Sequence, residues 1–202
     1  DRGAGLLKDT KRIENIIEGV INRIPISLSL KLRLGVEDTA DIYRLIPIIN
    51  SYPIKNIIIH PRLAVDKYES EVNLNCFEDI IPKVNKRVVY NGDIFSREDF
   101  NNLKLRFPSI NDWMIGRGLL NNPLLPFEIR SNEYFQKEEG VLALHAELLK
   151  TATSVNKMKE YWSYFSKGLN IEADKLSIIY SCTTLEELDK EVRNIIKDMI
   201  KE

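Results

Sequence analysis

Residues 87–118 read RVVYNGDIFSREDFNNLKLRFPSINDWMIGRG, and this stretch decides the fold class. Arg87 to Tyr90 is a short β-branched and aromatic run that stops at Asn91-Gly92-Asp93, a strong turn signal. Ser96 is a good N-cap for a helix that runs to about Phe107. A second apolar run, Asp112 to Ile115, then stops at Gly116-Arg117-Gly118. Strand, helix and strand in this order make one βα unit of a parallel sheet or barrel.

Toward the N-terminus the same alternation repeats. Asn56 to His60, NIIIH, predicts a strand, followed by a short helix around Phe77 to Val84. Ile26 to Leu34, ISLSLKLRL, alternates like a strand, and Ala40 to Ile49 returns to helical spacing. Ahead of these, Asp9 and Thr10 can cap a helix that places Ile13, Ile16, Ile17, Val20 and Ile21 on one face. The four strands recur about every 28 residues. Toward the C-terminus only helical patterns remain: Val141 to Lys150, Lys157 to Leu169, Ala173 to Tyr180, and a last helix opened by the capping box Thr184 to Glu187. That last helix carries Leu185, Leu188, Val192, Ile195, Ile196 and Met199 as one stripe. The reading is therefore an α/β domain over residues 1–132 and a small helical bundle over residues 133–202.

Composition narrows the class. Hydrophobic residues make up 44% and charged residues 29%, as in ordinary globular proteins. No apolar run approaches the roughly 18 residues of a membrane helix, and no signal peptide precedes the first helix. The two cysteines, Cys76 and Cys182, have no CxxC or metal-ligand spacing, which points to a reducing, cytoplasmic setting and to no metal. Residues 1–132 carry 19 Lys/Arg against 17 Asp/Glu, a net of +2; the remainder carries 10 against 13, a net of −3. Neither value is that of a stand-alone nucleic-acid binder, so an RNA contact must rest on a local patch. The chain opens on Asp1 and not Met, as a processed or cut product would.

The polar signals gather at one kind of place. Lys31 and Arg33, His60 and Arg62, Asn91-Gly92-Asp93, and Gly116-Arg117 all lie at or just past the C-terminal end of a strand. In βα barrels that end carries the active site. Gly116 and Gly118 let backbone approach a phosphate, with Arg117 as a bidentate partner; the plain alternative is a tight turn. Asn91-Gly92-Asp93 is either a bare turn or part of the same site. Lys31 within an apolar strand is either one half of a buried ion pair or a cation presented at the barrel mouth. Arg33, two residues on, shares its face. His60 reads as a ligand contact or as a hydrogen-bonded structural histidine. His145, on a tail helix, takes the structural role. Cys76 and Cys182 have no activating neighbour and read as structural. Tyr161 to Phe165 fits bundle packing better than base stacking.

Taken in order, GAGLL at 3–7, LKLRLG at 30–35, HPR at 60–62, YNGDI at 90–94 and MIGRGLLNNP at 114–123 resemble successive blocks of the tRNA-dihydrouridine synthases. The resemblance is clear over residues 2–130 and weaker in the tail. It implies an FMN-binding (β/α)8 barrel followed by a helical tRNA-binding domain, with this chain holding barrel strands five to eight. It implies reduction of uridine in tRNA, with NADPH as reductant and a cysteine as proton donor to the base. It implies that Lys31 and His60 contact the flavin or the base. Asn91, Gly92, Asp93, Gly116 and Arg117 then hold the FMN, and Arg33 and Arg62 serve cofactor or RNA. The full-length enzyme is expected as a monomer in the cytoplasm.

Two departures stand out. Pro61 occupies a position where many members have glycine, which removes an N–H. The family's Asn-x-Gly-Cys-Pro stretch has no counterpart here, and neither Cys76 nor Cys182 aligns with it. The expectation is a half-barrel with exposed strand edges and one open apolar face, poorly active alone. Two other readings are an FMN barrel acting on a small molecule, such as a dihydroorotate or enoate reductase, and a non-catalytic RNA-binding module.

Overall fold

A computed structural model describes residues 3–201. Helix α1, Thr10–Ile21, starts where Asp9 accepts a hydrogen bond from the Arg12 backbone N–H at 2.9 Å. Strand β1 spans Leu28–Gly35 and helix α2 spans Ala40–Ser51. Strand β2 runs from Ile54 to Leu63, further in both directions than the apolar pattern predicts. It continues through Pro61 because pairing with β1 resumes beyond it, with Gly35 opposite Leu63 after a register shift. Helix α3 covers Leu74–Ile80 and starts earlier than expected, since Asn73 caps it through the Cys76 N–H. Strand β3 is Arg87–Tyr90, helix α4 is Arg97–Arg106, and β4 is only Asp112–Trp113.

The four strands form one parallel sheet in the order β1-β2-β3-β4. Its register sorts the side chains. Leu30 and Leu32 of β1 lie opposite Ile57 and Ile59 of β2, and Ile57 and Ile59 lie opposite Val88 and Tyr90 of β3. Tyr90 meets Phe77 and Phe107 edge-on and stacked, so this is the face that the helices cover. Leu34, Ile42, Leu45, Ile49, Ile57, Ile59, Phe77, Ile80 and Tyr90 are wholly sealed there. Each such side chain stabilises the fold by about 1.5–3 kcal/mol.

The opposite face carries Ser29, Lys31 and Arg33, then Asn56, Ile58 and His60, then Arg87, Val89 and Asp112. This corrects the expectation of an open apolar face: the uncovered side of the sheet is mostly polar. Apolar side chains, together with Lys31 and Arg33, instead line a hollow at the β1 edge. Its volume is about 350 Å³, and Leu6, Leu7, Ile13, Ile17, Leu30 and Leu32 are among its lining residues.

Packing divides the chain into two compact units. The first runs through Asp93 and takes in Leu103–Ile115; the second takes in Ile94–Asn102 and everything described from Gly116 onward. Two short helices that the sequence reading did not anticipate, α5 (Arg117–Asn121) and α6 (Leu125–Ser131), belong to the second unit. It continues with α7 (Lys137–Leu149), α8 (Val155–Leu169), α9 (Ala173–Ser181) and α10 (Leu185–Lys201).

Thr184 and Glu187 form the expected capping box: the Thr184 hydroxyl accepts from the Glu187 N–H, and the Glu187 carboxylate accepts from the N–H groups of Thr183 and Thr184. Val141, Met158, Trp162, Phe165, Leu169, Leu188, Val192 and Ile196 make the core of this unit. α5 and α8 touch backbone to side: a Cβ on Gly168 would lie 2.0 Å from the Asn121 carbonyl oxygen.

His145 is wholly buried in this core. Trp162 donates from Nε1 to His145 Nδ1 at 3.1 Å, which leaves the proton on Nε2. Nε2 lies 3.3 Å from Asp189 Oδ1. Burial pushes the His145 pKa below its ordinary value, against the pull of Asp189. Among the described residues no helix is long and apolar enough to cross a membrane, and no cluster of His, Cys, Asp and Glu is arranged to hold a metal ion.

Gly168→Ala should cost about 1–3 kcal/mol by overpacking, read by urea denaturation followed through Trp162 fluorescence. Acidification should also weaken the second unit. Its folded histidine resists a proton that the unfolded chain accepts, so stability falls as pH drops below the ordinary histidine range of about 6.5. His145→Gln should flatten that dependence in denaturation curves taken across the range.

Candidate functional site

Two adjacent strands build the site of the first unit. Parallel pairing sets Lys31 beside Ile58 and Arg33 beside His60, all on the face that the helices leave uncovered. Arg62 follows on the same side of β2, two residues beyond His60. The chain then turns through residues 64–72 and returns to α3.

Arg33 ties down that turn. Its guanidinium donates to the Leu63 carbonyl at 2.6 Å and to the Lys67 carbonyl at 2.8 Å, and it lies 5.2 Å from the centre of the Tyr68 ring. Tyr68 in turn stacks on His60, with ring centres 5.9 Å apart. Lys67 takes a positive φ of 50° within the turn.

Arg62 is 3% exposed, and its guanidinium is committed on every side. Nε donates to the Ser70 carbonyl at 2.7 Å. Nη1 donates to Asp93 Oδ1 at 2.8 Å and to His60 Nε2 at 3.1 Å, and Nη2 pairs with Asp93 Oδ2. The paired carboxylate is three-quarters buried. Asp93 itself sits at a φ of 35°, in the left-handed region, as Asp in a turn tolerates.

Charge around His60 is mostly positive. Burial, then Arg33, Arg62 and Lys31, push its pKa down to about 4, against the pull of Asp93. The imidazole is therefore neutral near pH 7. Lys31 is exposed and enters no hydrogen bond or ion pair with another described residue, so it is a presented cation and not a buried partner. Partial burial, with Arg33 acting the same way, lowers its pKa from the ordinary lysine value.

The end of β3 completes the arrangement. The Asn91 side chain donates to the Met114 carbonyl at 2.8 Å, which ties this turn to the chain beyond β4. Gly92 is closely surrounded: a Cβ there would lie 3.0 Å from Val72, 3.2 Å from the Tyr90 hydroxyl and 3.3 Å from Pro61. Lys31, Arg33, His60, Asn91, Gly92, Arg62 and Asp93 thus belong to one unit, and the Arg33–Tyr68–His60 and Arg62–Asp93–His60 contacts knit it together.

Gly116 and Arg117 belong to the second unit. Among the described residues nothing lies within 4 Å of a Cβ built on Gly116, so the backbone is open to approach there. Arg117 lies 5.4 Å from the ring centre of Phe95. Tyr68 and Ser70 were not among the expected site residues. They lie in a polar loop without periodicity, and only the fold brings the loop back over β1 and β2. Burial raises the pKa of both cysteines, Cys76 touches the Tyr43 hydroxyl at 3.8 Å, and Cys182 donates to the Ile178 carbonyl at 3.3 Å.

Comparison with known proteins gives a coherent result. The family model described as dihydrouridine synthase (Dus) matches residues 1–201. A tRNA-dihydrouridine(16) synthase of Haemophilus influenzae is 25% identical over 196 residues, covering 92% of this chain and 63% of that protein. A tRNA-dihydrouridine(16) synthase of Neisseria meningitidis serogroup B is 32% identical over 133 residues, 65% of this chain and 40% of that protein. A tRNA-dihydrouridine(47) synthase [NAD(P)(+)]-like protein of Xenopus laevis is 27% identical over 135 residues, 66% of this chain and 21% of that protein. The chain spans less than two thirds of the length of each of these relatives.

The Arg62–Asp93 pair makes a sharp stability prediction. Asp93→Ala leaves a buried guanidinium without its carboxylate and should cost about 3 kcal/mol or more. Chemical denaturation of the first unit, followed by circular dichroism of its sheet, measures it.

Proposed function

The chain belongs to the dihydrouridine synthase family, and from that premise we propose that it is part of a flavin-dependent oxidoreductase that reduces uridine in tRNA to 5,6-dihydrouridine. The observation that carries the reading is the match over residues 1–201. The names of the relatives supply the substrate and the product. In this reading residues 1–132 supply the C-terminal half of a (β/α)8 barrel, and the four strands are its strands five to eight. Residues 133–202 are the helical tRNA-binding domain. The enzyme acts in the cytoplasm as a monomer, with FMN as cofactor and NADPH as reductant.

The residues of the first unit suit a polar heterocycle. Lys31 is a presented cation, and His60 is neutral with one ring nitrogen that no described residue bonds. When bound, FMN supplies the hydride chemistry. Lys31 stabilises negative charge on the reduced ring, where a preorganised cation acts strongly. His60 donates a hydrogen bond to ring or base. Asn91 and Gly92 shape the strand end beside it, and Asp93 acts through Arg62. Arg33 and Arg62 hold the 64–72 turn and the imidazole. Gly116 and Arg117 are assigned to the FMN phosphate from their sequence block, and the open space at the Gly116 backbone supports that assignment.

In this reading neither Cys76 nor Cys182 is the proton donor to the base, because neither lies in an Asn-x-Gly-Cys-Pro stretch. The isolated chain is accordingly poorly active.

Deleting the gene in its source cell should remove dihydrouridine from at least one tRNA position, measured by mass spectrometry of digested tRNA. An unchanged dihydrouridine content sinks the reading. In the isolated chain, Lys31→Met should weaken FMN binding about tenfold, as the loss of one charge-assisted contact does. Quenching of flavin fluorescence measures this, and equal affinity removes Lys31 from the site.

A further inference from the structure

We propose that Arg62 is a positioning residue: anchored by Asp93 and the Ser70 carbonyl, it donates to Nε2 of His60 and thereby fixes the imidazole as the Nδ1–H tautomer, a neutral donor facing an acceptor atom on the ligand. The argument is one of hydrogen inventory. A guanidinium has five N–H donors and no acceptor. Its Nη1 lies 3.1 Å from His60 Nε2, so Nε2 must be the accepting nitrogen. In a neutral ring the proton then sits on Nδ1.

The anchors leave Arg62 no freedom to turn away. Nε is held by Ser70, while Nη1 and Nη2 grip both oxygens of Asp93. Such a fork–fork pair fixes orientation as well as charge. Tyr68, stacked on His60, restrains the ring plane. No described residue hydrogen-bonds Nδ1, and Nδ1 is not among the sealed polar atoms that lack a partner. The N–H is therefore available to a ligand.

The charged groups that face the ring are Lys31, Arg33, Arg62 and Asp93, with Tyr68 across its plane. Three cations to one anion oppose a second proton on the imidazole, so the ring offers a single N–H near neutral pH. Its complement is a carbonyl oxygen or an unprotonated ring nitrogen. Only the identification of that acceptor with an atom of the flavin or the base rests on the proposed function; the tautomer does not.

The two histidines of the chain make the test self-referenced. Trp162 donates to Nδ1 of His145, so that ring carries its proton on Nε2, the opposite of His60. Long-range 1H–15N spectra of the 202-residue chain near pH 7 should show one ring of each kind. An Nε2–H, mixed or doubly protonated His60 overturns the proposal.

In Arg62→Met the pure Nδ1–H pattern should be lost, and the His60 pKa should climb from about 4 toward the ordinary 6.5. Backbone amide spectra of the first unit report whether this variant is folded. An unchanged tautomer in the folded variant defeats the proposal. Arg62→Lys keeps a charged donor and should retain the Nδ1–H form in the folded variant; loss of that form in Lys as well as in Met overturns the claim that the donor at this position sets the tautomer. If neither variant folds, the wild-type tautomer decides by itself. FMN titration separates the two readings. Wild-type chain that binds no FMN refutes the flavin assignment and leaves the tautomer standing. Wild-type binding that Arg62→Met does not weaken, against an expected loss of about tenfold, refutes the positioning role.

Discussion

The register between β1 and β2 is the constraint on which the first unit depends. Side chains alternate faces along a strand, so a slip of one residue exchanges the two faces completely. In the observed register, Leu30 and Leu32 join Ile57 and Ile59 on the helix-covered side, while Lys31, Arg33 and His60 share the other. A slip of β1 by one residue would turn Lys31 and Arg33 toward the layer sealed by Phe77, Ile80 and Tyr90, and would turn Leu30 and Leu32 to the uncovered face. The hydrophobic term and the cost of burying unpaired charge therefore select the same register. Folding the core and assembling the polar site are one event.

That coupling explains the electrostatics of the uncovered face. Three cations, Lys31, Arg33 and Arg62, act on His60, and Asp93, paired with Arg62, opposes them there. The carboxylate is spent on Arg62, which is nearly sealed from solvent. Lys31 remains a presented charge, and His60 remains neutral because burial and its cationic neighbours reject a second proton. The arrangement is suited to polar ligands that carry acceptor atoms or gain negative charge. It differs from a surface salt-bridge cluster, whose charges would cancel one another in water.

The second unit follows a simpler logic. Its helices bury a core around Trp162, Phe165 and Val192, and His145, a titratable group buried in the same unit, is bonded by an indole N–H. The close approach at Gly168 and the capping box at Thr184–Glu187 show local sequence and packing in agreement. Of the aromatic run at 161–165, Trp162 and Phe165 belong to this core.

Several features were legible in the sequence alone. The alternation of ISLSLKLRL and NIIIH, the turn at Asn91-Gly92 and the caps at Asp9, Ser96 and Thr184 predict the parallel βα order and most helices, because periodicity and capping are local. The ordered blocks from LKLRLG to MIGRGLLNNP were enough to indicate the family. Strand ends were less legible: β2 outruns its apolar pattern because pairing with β1, a tertiary contact, extends it past Pro61. The sequence also placed Lys31, Arg33, His60 and Arg62 at strand ends, but not what each one touches. Only the tertiary structure decided that Lys31 is presented while Arg62 is sealed, that Asp93 serves Arg62, and that Tyr68 and Ser70 join them. The physical reason is that these partners lie eight to more than thirty positions apart along the chain. Hydrogen-bond geometry and burial between them exist only after the sheet has fixed its register and the 64–72 turn has folded back.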